Sequence, residues 1–223
     1  MLNVVVDLSH YNNVNFAEAA QGGLQGVVHK ATQGLTEVDP LFASRWPLAR
    51  AAGLLWGAYH FGTDADGAAQ ARHLLATVQQ ASHTDGGPGL PGVLLMLDFE
   101  APAAGAGMST AQAEAFVTTV HAATGRYPGF YSTCGYLAAT GAEHSAVLAN
   151  CWLWLADYNP GPEPQAPPLW RTWTMWQYTD GRQGNLPRTA PGIGPCDRDQ
   201  FNGELLGLHA LWGVPQAVGV QPA

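Results

Sequence analysis

The sequence predicts an α/β barrel of the TIM type, closed by eight strands. Three observations carry that expectation. Strand-like apolar runs recur eight times along the 223 residues, nearly every one closing on a polar side chain. Helix-like stretches separate the first five or six runs, and loops separate the last three. Strands alternating with helices imply parallel pairing and right-handed crossovers, and eight strands allow closure into a barrel with an incomplete helical ring. At 47% hydrophobic content the chain is long enough to fill one sizeable core, and no internal repeat or linker marks a second domain.

Taken in order, Val4-Val5-Val6-Asp7 is a β-branched run ending in an acid. Asn15 is the expected cap of a short helix through Ala20. Gly26–Thr32 is the second strand. Asp39-Pro40 is read as starting a helix through Ala52, with Pro in the first turn, and Gly53 as stopping it. Leu54–Phe61 is the third strand, and Ala65–Ala81 a helix with Ala71, Leu74, Leu75 and Val78 on one face. The fourth strand is Val93–Glu100. Ser109 and Gln112 resemble a capping box for a helix to Thr124 that buries Phe116, Val117 and Val120. Gly129–Thr133 is the fifth strand, followed by a weak helix over Gly135–Ala149. Cys151–Tyr158 is the sixth. Asn159–Pro168 carries five prolines and cannot be a regular helix. Thr174–Tyr178 is the seventh strand and Pro195–Phe201 the eighth.

In such a barrel the chemistry sits at the C-terminal ends of the strands. The residues near those ends are Asp7, Thr32, His60, Asp98 with Glu100, Tyr131, Asp157, Gln177 and Asp197. Any one of them could be a strand end meeting water. A polar, largely acidic ring over eight apolar strands is much harder to explain that way. Its centre is Val93-Leu94-Leu95-Met96-Leu97-Asp98-Phe99-Glu100, a run that reads as a strand buried on both faces. Alternation puts Asp98 and Glu100 on one side and Phe99 on the other, with the two acidic Cα atoms roughly 6–7 Å apart. Two acids crowded there cannot both ionise freely, so one pKa should rise.

Composition excludes several partners. Lys+Arg is 9 against Asp+Glu 17, a formal charge of -8. That argues against a nucleic-acid partner and against electrostatic docking on an anionic membrane or wall polymer, so an anionic substrate would be held by something other than net charge. No run of 18 apolar residues and no basic-then-apolar leader is present, so neither a membrane span nor a signal peptide is seen. Cys134, Cys151 and Cys196 lack metal-ligand spacing. Buried thiols are expected for most of them, and whether any two pair stays open. His29 lies inside a strand and reads as a core histidine. Trp152 and Trp154 share a face and read as core. No Asp-x-Asp-x-Asp loop with a trailing Glu occurs, so no metal or other cofactor is expected.

The chain resembles the glycoside hydrolase family 25 lysozymes, the N-acetylmuramidases of phages, bacteria and some fungi. The matching stretches are Val-Asp-Leu-Ser-His-Tyr (6–11), Lys-Ala-Thr-Gln-Gly (30–34), Val-Asp-Pro-Leu-Phe (38–42) and Ala-Ala-Gly-Leu-Leu-Trp-Gly-Ala-Tyr-His-Phe (51–61). Leu-Asp-Phe-Glu (97–100), Phe-Tyr-Ser (130–132), Leu-Trp-Leu-Ala-Asp-Tyr (153–158), Met-Trp-Gln-Tyr-Thr (175–179) and Asp-Arg-Asp-Gln-Phe (197–201) continue the family's order. The resemblance implies a flattened barrel of five βα units and three closing strands, the arrangement the strand count also gives. His29 stands where the family usually has a small or apolar residue, Thr-Gln-Gly replaces Thr-Glu-Gly, and Asp199 sits where Asn is frequent. None of these touches the Asp-x-Glu pair.

The implied activity is hydrolysis of the β-1,4 bond between N-acetylmuramic acid and N-acetylglucosamine in peptidoglycan glycan strands. It would reside in one catalytic domain over residues 1–213, followed by a loosely ordered tail over 214–223, and act as a monomer. Glu100 is then the general acid. Asp98 stabilises the developing charge or, by the resemblance, orients the substrate's 2-acetamido group. Asp7 and Asp197 complete the four catalytic carboxylates, and Tyr59, His60, Tyr131, Asp157 and Gln177 are the expected substrate contacts. The implied place of action is the bacterial cell wall, reached as a phage endolysin at lysis or by an export route the sequence does not show. A non-catalytic sugar-binding barrel and a metal-dependent hydrolase or deacetylase are the alternatives.

Overall fold

Five βα units open the chain and three strands close it. The structure is a computed structural model that describes residues 1–87, 89–159 and 161–213. The tail expected over 214–223 lies outside the described residues. Strand β1 (Leu2–Leu8) is followed by helix α1 (Phe16–Gln21), and β2 (Gly26–Gln33) by a two-residue strand β3 (Glu37–Val38) and then α2 (Phe42–Ala51). Next come β4 (Leu55–Phe61) with α3 (Gly67–Asp85), β5 (Leu94–Asp98) with α4 (Thr110–Thr124), and β6 (Gly129–Ser132) with α5 (Cys134–Thr140). Strands β7 (Trp152–Ala156) and β8 (Met175–Asp180) follow without long helices between them. A small hairpin of β9 (Thr189–Ala190) and β10 (Gly194–Pro195) leads into β11 (Asp197–Phe201) and helix α6 (Leu205–Leu211).

The strands β1, β2, β4, β5, β6, β7 and β8 pair in that order, all parallel. The eighth does not follow them: β11 runs antiparallel to both β8 and β1 and seals the barrel between them. The reason lies in the connection. A parallel return needs a crossover, whereas β8 reaches β11 through a hairpin excursion that stays at the same end of the barrel. This has a functional consequence, because the first residue of β11, not its last, stands beside the ends of the parallel strands.

Alternation sorts each strand into two layers. Leu95, Leu97 and Phe99 face outward into a core shared with the helices, which includes Leu74, Phe116, Val117 and Val120. Leu94 and Met96 face inward with Val5, Val28, Trp154, Met175 and Phe201. Leu208, midway along α6, and Trp212, just beyond its end, are buried against this inner cluster, so the C-terminal helix caps the floor of the barrel. The polar cleft residues of the inner face gather at the opposite mouth.

Several local features differ from the sequence reading for identifiable reasons. Helix α2 starts at Phe42, not at Asp39, because the Asp39 carboxylate is engaged elsewhere: Oδ1 accepts from Leu41 N at 2.9 Å and Oδ2 from His10 Nδ1 at 2.8 Å. Helix α5 ends at Thr140, because Gly141 adopts φ +71 and turns the chain out of the helix. Only two short 3₁₀ turns follow before β7. The capping box on α4 is formed as expected, Ser109 Oγ accepting from Gln112 N and Gln112 Oε1 from Ser109 N. Cys151 and Cys196 are buried, Cys134 is exposed, and all three are free thiols. Among the described residues no helix is long and apolar enough to cross a membrane.

Candidate active site

Inner-face residues from the ends of most of the barrel strands arrive at one small cleft. Asp7 comes from β1, Tyr59 from β4, Asp98 from β5, Tyr131 from β6 and Gln177 from β8. Asp197 comes from the start of β11, directly opposite Asp7 in register. Glu100 lies two residues past Asp98, beyond the end of β5. It keeps the strand's alternation because the backbone continues extended pairing: Phe99 N donates to Tyr131 O at 2.9 Å. Phe99 points the other way and packs on Phe130, ring centroids 5.2 Å apart. The cleft holds about 190 Å³ and is floored by Trp154 and walled by Tyr158. A larger cavity of about 530 Å³ lies at the opposite end, around Leu90, Val93, Val120 and Tyr127. It contains no carboxylate, so size does not mark the chemistry here.

The four carboxylates predicted to act together do converge. Burial raises all of their pKa values, and mutual repulsion adds to it. Asp98 is raised first by desolvation and then by Glu100, and Glu100 is raised by desolvation. Asp7 is raised by desolvation and by the charges of Asp197 and Asp199. Asp197 is pushed up to about 6 by partial burial and by Asp180, its register partner on β8. Acting against these shifts is Lys30 on the inner face of β2, whose ammonium pulls both Asp98 and Glu100 down. Its Nζ donates to Gln33 Oε1 at 2.6 Å and sits 5.2 Å from the centroid of the Phe61 ring. Asp98 Oδ1 is buried with no hydrogen-bond partner.

Gln177 organises the cleft wall. Its Nε2 donates to Asp7 Oδ2 at 2.6 Å, and its Oε1 accepts from Tyr131 Oη at 2.7 Å and from Tyr158 Oη. With its amide so occupied and only 3% exposed, Gln177 holds Asp7 and the two tyrosines in place and has little capacity left for a sugar. Tyr59 and Tyr131 both line the cleft as expected.

Two expected contacts are displaced, and both for the same reason. His60 follows inward-facing Tyr59 and so points outward. It is fully buried between β4 and the helices, with Nδ1 bonded to Thr32 Oγ1 at 2.8 Å, Nε2 to Gln70 Oε1 at 3.0 Å, and its ring against Phe116. Burial lowers its pKa to about 4. It is a core histidine. Thr32 joins it there because the β2–β4 register shifts between Lys30 and Thr32, and such a bulge re-aims the next side chain. Asp157 likewise has outward parity. It accepts from Asn159 N at 2.9 Å and lines a neighbouring depression with Cys134 and Gln183. The residue of the same segment that reaches the cleft is Tyr158, and counting in twos from Trp154 identifies it. His29 is buried as predicted, bonded to Lys30 O at 2.7 Å and facing Arg45. Among the described residues no group of three or more His, Cys, Asp or Glu side chains could hold a metal ion.

Comparison with known proteins places this geometry. The profile of glycosyl hydrolases family 25 matches residues 6–185. Lysozyme M1 of Streptomyces globisporus is 30% identical over 217 residues, which covers 92% of this chain and 70% of that one. The N,O-diacetylmuramidase of Chalaropsis sp is 32% identical over 187 residues, covering 78% of this chain and 86% of the relative. Among solved structures, a bacterial lysozyme from Streptomyces coelicolor superposes with TM-score 0.78 at 28% identity over 96% of this chain and 98% of its own. A family GH25 lysozyme from Aspergillus fumigatus superposes with TM-score 0.75 at 33% identity over 92% of this chain and 96% of its own. An acidic cleft at the mouth of an eight-stranded barrel, and a profile that spans most of the sequence, lead to one assignment: the chain belongs to glycosyl hydrolase family 25 and is a glycoside hydrolase.

Proposed function

We propose that this protein is a muramidase that cleaves the β-1,4 bond between N-acetylmuramic acid and N-acetylglucosamine in peptidoglycan, acting as a monomer at the bacterial cell wall. The observation that carries the reading is the Asp98–Glu100 pair, two inner-face carboxyls with raised pKa values at the wall of a cleft. Glu100 donates its proton to the glycosidic oxygen as the C–O bond breaks. Asp98 faces the positive charge that develops at the sugar C1 carbon, and its carboxylate, at the wall of the cleft, is the acceptor for the N–H of a 2-acetamido group. That acetamido carbonyl oxygen can then close on C1, and water opens the resulting ring. Asp7 and Asp197 set the field around the pair.

Proton placement follows from the same geometry. The pair titrates as a unit, and in the free cleft the more buried Asp98 competes for its proton. A donated N–H favours ionised Asp98, so a bound acetamido group leaves the proton on Glu100, where it is needed. The names of the relatives, lysozyme and N,O-diacetylmuramidase, support a substrate of this class. Mass analysis of digested, purified peptidoglycan tests the reading: fragments with reducing muramic acid ends are expected, undiminished by EDTA. Glucosamine reducing ends, deacetylated but uncut strands, or tight binding with no release would each overturn it.

Lys30 supplies a check on the electrostatics. A nearby cation favours the carboxylate form, so its removal leaves the pair protonated to higher pH. Lys30→Met should move the alkaline limb of the activity profile up by roughly half a pH unit. A stationary limb, or a shift toward lower pH, would show that Lys30 does not govern the pair.

A further inference from the structure

A second hollow opens beside the cleft. It holds about 370 Å³ against the cleft's 190 Å³, and it is lined by Thr133, Cys134, Asp157, Tyr158, Asn159 and Gln183. Tyr158 lines both, so it stands between them. It is fixed there, because its Oη donates to Gln177 Oε1. Asp157 is fixed as well: its backbone N–H donates to Gln177 O at 3.1 Å, and its backbone carbonyl accepts from Trp176 Nε1 at 2.8 Å. Its Oδ1 accepts from Asn159 N at 2.9 Å and from Asn159 Nδ2 at 2.6 Å, while Oδ2 has no hydrogen-bond partner among the described residues.

Among the described residues that line the hollow, Asp157 is the sole charged side chain, and the others include amides, hydroxyls and a free thiol. The Cys134 thiol registers the local field: burial raises its pKa first, and the charges of Asp157 and Glu143 raise it further. A polar hollow with a negative field selects a ligand that brings a positive charge and N–H donors. Peptidoglycan has one such part. Its fully acetylated glycan carries no cation, whereas the peptide branch on muramic acid carries amides and, on its diamino acid, an ammonium group. A muramic acid held at Asp98 and Glu100 must send that branch sideways, because the cleft itself is too small for it. The hollow beside it falls within the roughly 300–1,000 Å³ of sites that enclose small ligands.

We propose that this hollow is a subsite for the ammonium-bearing peptide branch of the substrate, with the Asp157 carboxylate as the charge partner and Tyr158 as the wall between branch and reacting sugar. Asp157 then acts on recognition and not on the chemical step. The Asn159 amide pins Oδ1 and leaves Oδ2 turned to the ligand, so little side-chain freedom is lost on binding. The proposal rests on the muramidase reading for the identity of the polymer.

The experiment uses one purified peptidoglycan with a fully N-acetylated glycan and free amines on its peptide branches, either native or after chemical acetylation of those amines. Wild type should show an apparent KM about three- to fivefold higher on the acetylated wall, the size of a part-exposed ion pair, with kcat unchanged. Asp157→Asn keeps the Oδ1 acceptor for Asn159 and loses the charge, so it should show that raised KM on both walls and no response to acetylation. Glu204→Gln makes the same change of net charge at the exposed start of α6, on the barrel floor, and should behave as wild type. A wild type indifferent to acetylation overturns the proposal. An Asp157→Asn protein that still responds in full overturns it too, and so does a Glu204→Gln protein that loses as much as Asp157→Asn, since either would mean that overall charge sets the effect. If wild type releases no fragments from either wall, the muramidase reading fails, and co-sedimentation with the two walls on ice decides the subsite separately: stronger retention on the native wall, lost in Asp157→Asn, supports it, and equal retention overturns it.

Discussion

Glu100→Gln should lower kcat on peptidoglycan by roughly 10²–10⁴-fold, the range typical of losing a positioned general acid. The substitution preserves shape and polarity and removes the transferable proton. Since Glu100 is half-buried and its side chain makes no hydrogen bond among the described residues, KM and the far-UV spectrum should hold. The melting temperature should stay level or rise, because one of two mutually repelling carboxyls is gone. Asp98→Asn makes the contrasting case: it keeps an acid at Glu100 but removes the charge facing C1, and in an acetamido-assisted mechanism it replaces an acceptor with an amide that can turn its donor toward the N–H. Dye release from labelled cell walls, followed alongside a thermal melt, reads both quantities. Glu100→Gln clearing walls at near wild-type rate would remove Glu100 from the acid role and, with it, the basis for assigning the pair.

How much of this was legible in the sequence follows from which physical signals are local. The strand order and the five-plus-three arrangement could be read because apolar runs and helix caps are written within a few residues of where they act; Asn15, Ser109 and Gln112 cap the helices they were expected to cap. The carboxylate cluster was legible because closure brings the first and last strands together, so Asp7 meets Asp197. What failed were inferences that took strand ends without parity. Tyr59 and His60 are consecutive and cannot both face the cleft, and the same holds for Asp157 and Tyr158. Thr32 was lost to a bulge, which leaves no mark in composition. Asp197 was placed correctly although β11 runs opposite to the other strands: it begins that strand and does not end it. Lys30 was visible only as part of a motif, because its influence on Asp98 and Glu100 is a matter of distance across the barrel.

Packing glycines were equally invisible, and one of them carries a large expected effect. Gly67 is the first residue of α3, and a Cβ built there would stand 1.9 Å from the carbonyl oxygen of Gln112 in the first turn of α4. The obstacle is backbone and cannot rotate away. Gly67→Ala must therefore separate the starts of α3 and α4. That shift loosens the Ser109–Gln112 capping box and the 3.0 Å bond from Gln112 Nε2 to Asp64 Oδ1. Overpacking of this kind should cost about 3 kcal/mol and lower the melting temperature by roughly 6–12 °C for a chain of this size. Because α4 continues from the segment that carries Glu100, kcat at 25 °C should fall as well. Gly135→Ala is the control: nothing lies within 4 Å of its added Cβ, and it sits inside helix α5. There the gain in helix propensity should stabilise by up to about 1 kcal/mol. Differential scanning calorimetry on the two variants separates the cases. A Gly67→Ala protein melting within about 2 °C of its parent would mean that the two helices do not approach through this glycine, and that the position of Glu100 does not depend on their contact.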